Sequence, residues 1–180
     1  MGQITQPPKA LLFFGILRSP SVDFETLKCD LEKTFGTIVL KSDSFPFHET
    51  DYYRDEMGEE LVRTWIGFDC LIEPNRLVDI KHECNSIENE RYSVSGRRMV
   101  NLDPGYLTLG KVVLASTKNN QHRLYLGRGI FGEATLRYRR KCFEPWEWTF
   151  SDYRRKEAEH FFIQLRIILK KYLQKLQGGK

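Results

Sequence analysis

A carboxylate, a histidine and cationic side chains gathered within one stretch of chain can bind a phosphate, hold a divalent ion or move a proton. Residues 101–137 carry such a set. Asn101-Leu-Asp103-Pro-Gly105-Tyr106 is predicted to leave a strand through a Pro-Gly turn, with Asp103 at its mouth and Tyr106 beside it. Thr117-Lys118-Asn-Asn-Gln-His122-Arg123 is a polar loop suited either to solvation or to neutralising phosphate. A hairpin follows. If Leu126 faces Ile130 across Gly127-Arg-Gly129, then Leu124, Leu126, Ile130, Ala134, Leu136 and Tyr138 share a core face. The same register sets Arg123 opposite Glu133 and Tyr125 beside Phe131, with Thr135, Arg137 and Arg139 continuing a polar row. Two readings compete for that row. Arg123 with Glu133 is a cross-strand ion pair worth about 1 kcal/mol at most if exposed. Alternatively, guanidinium groups bracketed by a carboxylate and aromatic rings hold a phosphate or a base, leaving Glu133 to bind a metal or act as a base.

Other motifs divide in the same way. Gly127-Arg-Gly129-Ile-Phe-Gly132 matches the dinucleotide pattern G-x-G-x-x-G, but Glu133-Ala-Thr-Leu-Arg137 after it alternates like a strand, so no helix N-terminus meets a pyrophosphate. No G-x-x-x-x-G-K-[ST] sequence is present, which argues against ordinary P-loop hydrolysis. His82-Glu-Cys84 puts two potential ligands together without the partners a tetrahedral site needs, so no structural zinc is expected. Trp146, Trp148 and Phe150 alternate along a predicted last strand, as core against the final helix or as base-stacking rings. Asp152 is placed to N-cap that helix or to serve a ligand. Asp51-Tyr-Tyr-Arg-Asp-Glu56-Met-Gly58 is a polar-aromatic turn that lines or covers a cleft.

The elements that must position these residues are legible from periodicity. Ala10–Leu17 is a continuous apolar run suited to a central strand, and Phe24, Leu27, Leu31 and Phe35 recur at helical spacing before Gly36. Thr37–Phe45 reads as a strand, giving a β-α-β opening, and Leu61–Phe68 as another. Pro74 begins a helix carrying Leu77, Ile80, Cys84 and Ile87 on one face. Beyond Gly96, Arg97–Leu102, His122–Leu126, Ile130–Lys141 and Trp146–Phe150 suggest an antiparallel sheet, and 106–116 fits helix or strand. Phe161, Leu165, Ile168, Tyr172 and Leu176 then make an amphipathic stripe. The predicted architecture is a single α+β domain over 1–154, mainly antiparallel, with a basic amphipathic helix over 155–180 packed on it or extending from it.

Composition sets the class. A chain of 180 residues with 41% hydrophobic and 29% charged residues can close one core and is far from disordered composition. The Ala10–Leu17 run is too short for a membrane helix and lacks the flanks of a signal peptide, and Cys29, Cys70, Cys84 and Cys142 form no C-x-x-C pair. A cytoplasmic protein with reduced thiols and no membrane partner is expected. From residue 137 onward, twelve Lys or Arg face five Asp or Glu. That imbalance suits nucleic acid, a phosphate ligand or an acidic partner, or is simply a solvated helix face with a tail.

On Phe45-Pro-Phe47, Asp51-Tyr-Tyr53, Glu56-Met-Gly58, Val100–Tyr106, His122–Leu126, Glu133-Ala-Thr-Leu136 and Trp148–Arg154, the chain resembles a bacterial family catalogued as domain of unknown function 4416. Members are sometimes labelled GTP-binding proteins. The resemblance runs from about Pro8 to Arg154, and Asn101–Tyr106 is its most specific block. Phe150, Ser151 and Gly132 stand where the family has tyrosine, proline and alanine, whereas Asp103, His122, Arg123, Glu133 and Asp152 match. The resemblance implies a bacterial cytoplasmic setting and supplies no mechanism.

The leading expectation is therefore a sheet face that binds a small phosphate-bearing, nucleotide-like ligand. Lys118, Arg123, Tyr125, Arg137, Tyr106 and Asp152 would contact it. In an enzyme, Asp103 or Glu133 would hold Mg or Mn or accept a proton, and His122 would be the acid/base. Arg123→Ala or Glu133→Ala would then abolish binding with little change in melting. The alternatives are a nucleic-acid module using Arg137, Arg139, Arg140, Lys141 and the last helix, and a protein-interaction scaffold.

Overall fold

The computed structural model describes residues 2–49 and 54–178; Asp51, Tyr52 and Tyr53 of the polar-aromatic turn lie outside them. The apolar run becomes β1 (Ala10–Arg18), with Ala10–Leu17 buried. It lies centrally because its two alternating rows feed two cores. Leu12, Phe14 and Ile16 meet α1 (Phe24–Phe35) on one face of the sheet, while Leu11 and Phe13 meet the C-terminal helix on the other. Helix α1 starts where the Asp23 carboxylate accepts from the Thr26 N–H at 2.8 Å and stops at Gly36, whose φ of 95° favours glycine.

β2 (Ile38–Lys41), β3 (Phe45–Pro46), the helical turn α2 (Arg54–Met57) and β4 (Val62–Ile72) follow. Both β1 and β2 run antiparallel to β4, which lies between them, so the β-α-β opening is a split one with parallel outer strands. The predicted Thr37–Phe45 strand is two pieces, both paired with β4. After a 3-10 turn begun by Pro74, α3 (Leu77–Arg91) covers the α1 face through Ile80 and Cys84. Asp30 of α1 ties it to the end of α3, accepting from the Tyr92 hydroxyl at 3.0 Å and pairing with Arg91 at 3.0 Å. The Tyr92 hydrogen bond holds the Asp30 carboxyl below the usual carboxylate range. Its contribution is complete above the unfolded carboxylate pKa and is lost as pH falls through the folded one. Asp30→Asn is expected to cost about 1 kcal/mol at most at pH 7, and urea titrations should show the gap to wild type closing below about pH 3.

The rest of the sheet is β7 (Val100–Leu107), β8 (Lys111–Ser116), β9 (Leu124–Gly127), β10 (Ile130–Arg139) and β11 (Cys142–Pro145), with β5 (Ser93–Val94) and β6 (Arg97–Arg98) forming a small separate hairpin. Among the described residues the strand order is β11-β10-β8-β7-β1-β4-β2, with β9 on β10 and β3 on β4, all antiparallel. Residues 106–116 resolve into two strands. Helix α4 (Lys156–Gly178) buries Ala158, Phe161, Phe162, Leu165 and Leu169 against the second face.

Four expectations are corrected. Pro104-Gly105 is no turn: β7 runs through it, pairing with β1 from Val100 to Leu107. The hairpin register pairs Ile130 with Gly127 and Phe131 with Tyr125, and Leu124, Tyr125 and Leu126 are exposed, because no described element covers β9. Trp146–Phe150 is no strand. Arg154 donates to the carbonyls of Trp146, Glu147 and Thr149, and the Thr149 hydroxyl accepts from the Trp146 N–H, which folds the segment into a turn. Asp152 opens a 3-10 turn four residues ahead of α4 and does not cap it.

Candidate functional site: a cleft at a fork in the sheet

Strand β7 pairs with β8 only from Gly105 to Leu107, whereas β8 continues beside β10 to Ser116. Pro104 accounts for the divergence, because it has no N–H to extend the ladder. Two buried side chains of α3 replace the missing strand at Leu102. Glu88 accepts from its N–H at 2.7 Å, and the Lys81 ammonium donates to its carbonyl at 2.7 Å. Gly105 must be glycine at the crotch, since a Cβ there would lie 2.5 Å from both the Val113 carbonyl oxygen and the Phe13 ring.

The fork opens into a cleft of about 650 Å³. At its inner end Asp103 is a quarter exposed, with Arg63 Nη1 at 3.7 Å and Lys81 Nζ at 3.9 Å. Arg63 also pairs with Asp152 at 2.8 Å, both side chains being almost fully buried. Burial raises the Asp152 pKa against the opposing pull of Arg63, and burial likewise raises that of Glu88. Arg98 closes one wall, reaching both oxygens of Glu56 at 2.5 and 2.8 Å and Glu88 at 2.6 Å.

On the β8–β10 side, Glu133 Oε2 accepts from Arg123 Nε at 2.7 Å and meets His122 Nε2 at 3.1 Å, while Oε1 accepts from the Thr135 hydroxyl at 3.3 Å. Arg123 also donates to the Ser116 hydroxyl and the Lys118 carbonyl. Its guanidinium lies 5.9 Å from the centre of the exposed Phe150 ring.

Asp103, Lys118, Arg123, Glu133 and Asp152 thus line one cleft, and His122, Tyr125, Arg137 and Tyr106 are outside its lining. His122 reaches the cleft only through Glu133. Its ring stacks on Trp148 at 5.5 Å, Trp148 on Trp146 at 5.3 Å, and Arg137 lies 4.4 Å over Trp146 while pairing with Glu144. A β-bulge between Ala134 and Leu136 shifts the register between Glu133 and Arg137. Tyr125 meets Phe131 in the exposed hairpin, and Tyr106 packs into the core beside α3, where burial raises its pKa. Asp103 and Glu133 are each held by cations of the protein itself. Among the described residues no group of three or more His, Cys, Asp or Glu side chains is placed to hold a metal ion.

The sequence reading missed Arg63, Lys81, Glu88, Arg98 and Asn101, although each was visible. Arg63 interrupts an apolar strand, and Lys81 and Glu88 share the helical stripe of Leu77 and Cys84.

Fold and cleft together define an α+β single-domain protein whose mostly antiparallel sheet is forked around a concavity of ligand size. Residues 8–169 match one protein family, described as a domain of unknown function (DUF4416), and the chain belongs to it. The match passes Arg154 and takes in much of α4. No curated protein and no solved structure matches the chain. No described helix is long and apolar enough to cross a membrane.

Proposed function

We propose that the cleft binds a small phosphate-bearing ligand of nucleotide-like size. The observation that carries this reading is the concentration of buried charge around one concavity: Arg63, Lys81, Glu88, Arg123, Glu133 and Asp152 are all buried and all line it. Buried ion pairs seldom stabilise a fold better than apolar packing of the same shape. Their convergence on a cleft of about 650 Å³ therefore argues for a ligand. The phosphate belongs at the outer end, where Lys118 is exposed on the β8–β9 loop and Arg123 lies beside the Phe150 ring. Phe150 and Phe47 offer apolar surface for a base or another flat group. Binding is the activity this arrangement supports. His122 and Glu133 serve it by fixing Arg123.

The test is a thermal-shift screen of nucleotides and sugar phosphates, with and without Mg²⁺ or Mn²⁺. A ligand at a hundred times its Kd stabilises by about 2.7 kcal/mol, and Lys118→Ala is expected to shrink the ligand-induced shift, measured against the variant's own unliganded melting temperature. A flat screen overturns the reading. Oligonucleotide binding that is blind to sequence and falls steeply with salt would move the function to the basic residues Arg139, Arg140 and Lys141.

A further inference from the structure

Two buried side-chain groups at the inner end of the cleft keep donor hydrogens that no described residue accepts. Asn101 Oδ1 accepts from Arg98 at 3.3 Å, but the Asn101 Nδ2 amide makes no hydrogen bond. Tyr153 Oη accepts from the Trp65 indole N–H, which leaves the phenol's own hydrogen without an acceptor among the described residues. Both residues are more than nine-tenths buried, and both line the cleft. Tyr153 reaches this position because residue 15 is glycine: a Cβ there would lie 2.6 Å from its hydroxyl and 3.2 Å from Arg63 Nη1. Gly15 pairs across the sheet with Asp103, so the phenol sits over the strand pair that carries this carboxylate.

Asn101 and Asp103 are two residues apart on β7 and project from the same sheet face, about 6.6 Å apart along the strand. Among the described residues the Asp103 carboxylate has no hydrogen bond, only the ion pairs at 3.7 and 3.9 Å. The subsite therefore offers a carboxylate acceptor flanked by an amide donor and a phenol. The Arg63 and Lys81 cations beside that carboxylate are already matched by Asp103, Asp152 and Glu88, so the subsite has no charge to spare for an oxyanion, which the Asp103 carboxylate repels. The subsite suits groups that donate and accept at once. A hydroxyl donates its hydrogen to Asp103 while its oxygen accepts from Asn101 Nδ2 or Tyr153 Oη.

We infer that the inner end of the cleft is a subsite for a vicinal diol, so that the ligand is a sugar phosphate or ribonucleotide held with its hydroxyls inward and its phosphate at Lys118 and Arg123. The orientation rests on the phosphate-ligand reading; the diol subsite rests on Asn101, Asp103 and Tyr153 alone. The two are separable by calorimetry with four probes: ribose 5-phosphate, 2-deoxyribose 5-phosphate, ribose and inorganic phosphate. Sites built around a ligand hydroxyl discriminate strongly against its loss, because their own polar groups are left unpaired. Ribose 5-phosphate is expected to bind about tenfold or more tightly than the 2-deoxy sugar phosphate. Asp103→Asn should erase that ratio; its side chain is partly exposed, and the comparison in wild type stands without the variant. Equal binding of the two sugar phosphates overturns the diol subsite and leaves the phosphate reading intact. Ribose binding as tightly as ribose 5-phosphate supports the subsite and overturns the phosphate. Binding by none of the four overturns both.

Discussion

Glu133→Ala is expected to destabilise the protein by about 3–5 kcal/mol, the cost of breaking a buried pair from one side. The carboxylate is 1% exposed and Arg123 3%, so neither has water to turn to. Without Glu133, the Arg123 guanidinium keeps the Ser116 hydroxyl and the Lys118 carbonyl but loses its 2.7 Å anion. His122 and the Thr135 hydroxyl lose an acceptor at the same time. Arg123 spans β10 and the 117–123 loop, so the loss loosens that wall of the cleft and should weaken ligand binding too. The outcome expected from sequence on the ligand-binding reading was lost binding with little change in melting. Burial reverses its stability half. Urea unfolding of Glu133→Ala, Arg123→Met and the double variant provides the check. The double variant should cost clearly less than the two single costs added, because it leaves no lone charge. Additive costs would mean that the pair is solvated and contributes little.

What was legible in the sequence was local. Strand β1 follows from its unbroken apolar run. Helix α1 follows from Asp23, the Phe24, Leu27, Leu31 and Phe35 spacing, and Gly36, and α3 from Pro74 and its stripe. The misreadings come from places where a distant partner overrides local chemistry. Asp103-Pro-Gly105 has turn composition, yet β1 supplies the whole ladder on one side of β7, and the missing Pro104 N–H is spent in opening the fork. Trp146, Trp148 and Phe150 do alternate, but Arg154 collects the carbonyls that a neighbouring strand would need. Of the β9–β10 hairpin's apolar row Ile130 is buried but Leu124 and Leu126 of β9 are exposed, which alternation alone cannot reveal.

The site divides similarly. Asp103, Lys118, Arg123, Glu133 and Asp152 stood out because they sit in polar or turn-forming sequence, and they meet in one cleft. Arg63, Lys81 and Glu88 were passed over because apolar neighbours marked their segments as core. That context is itself the signal. A charge on an otherwise apolar stripe must be paired and buried or must face a cavity, and these three do both.

Glu88→Ala should cost as much as Glu133→Ala, about 3–5 kcal/mol, through a different route. Glu88 stands in for a strand: its Oε1 accepts the Leu102 N–H that β8 leaves behind, and its Oε2 holds Arg98. Alanine orphans a buried backbone donor and frees one side of the guanidinium that ties β6 to Glu56 of α2. Burial raises the folded pKa of Glu88 despite Lys81 and Arg98, so the folded protein binds more protons than the unfolded chain between the unfolded carboxylate range and that raised value. Over this window the stability due to Glu88 falls as pH rises. The gap between wild type and Glu88→Ala should therefore be wider at pH 4.5 than at pH 8, the pH values of the two titrations that measure it, roughly bracketing the window. A gap that widened with pH would mean that Arg98 and Lys81 outweigh burial and that Glu88 is ionised throughout. In that case the fork would be held by an ion cluster of Glu88, Arg98 and Lys81 that keeps its charge across both titrations.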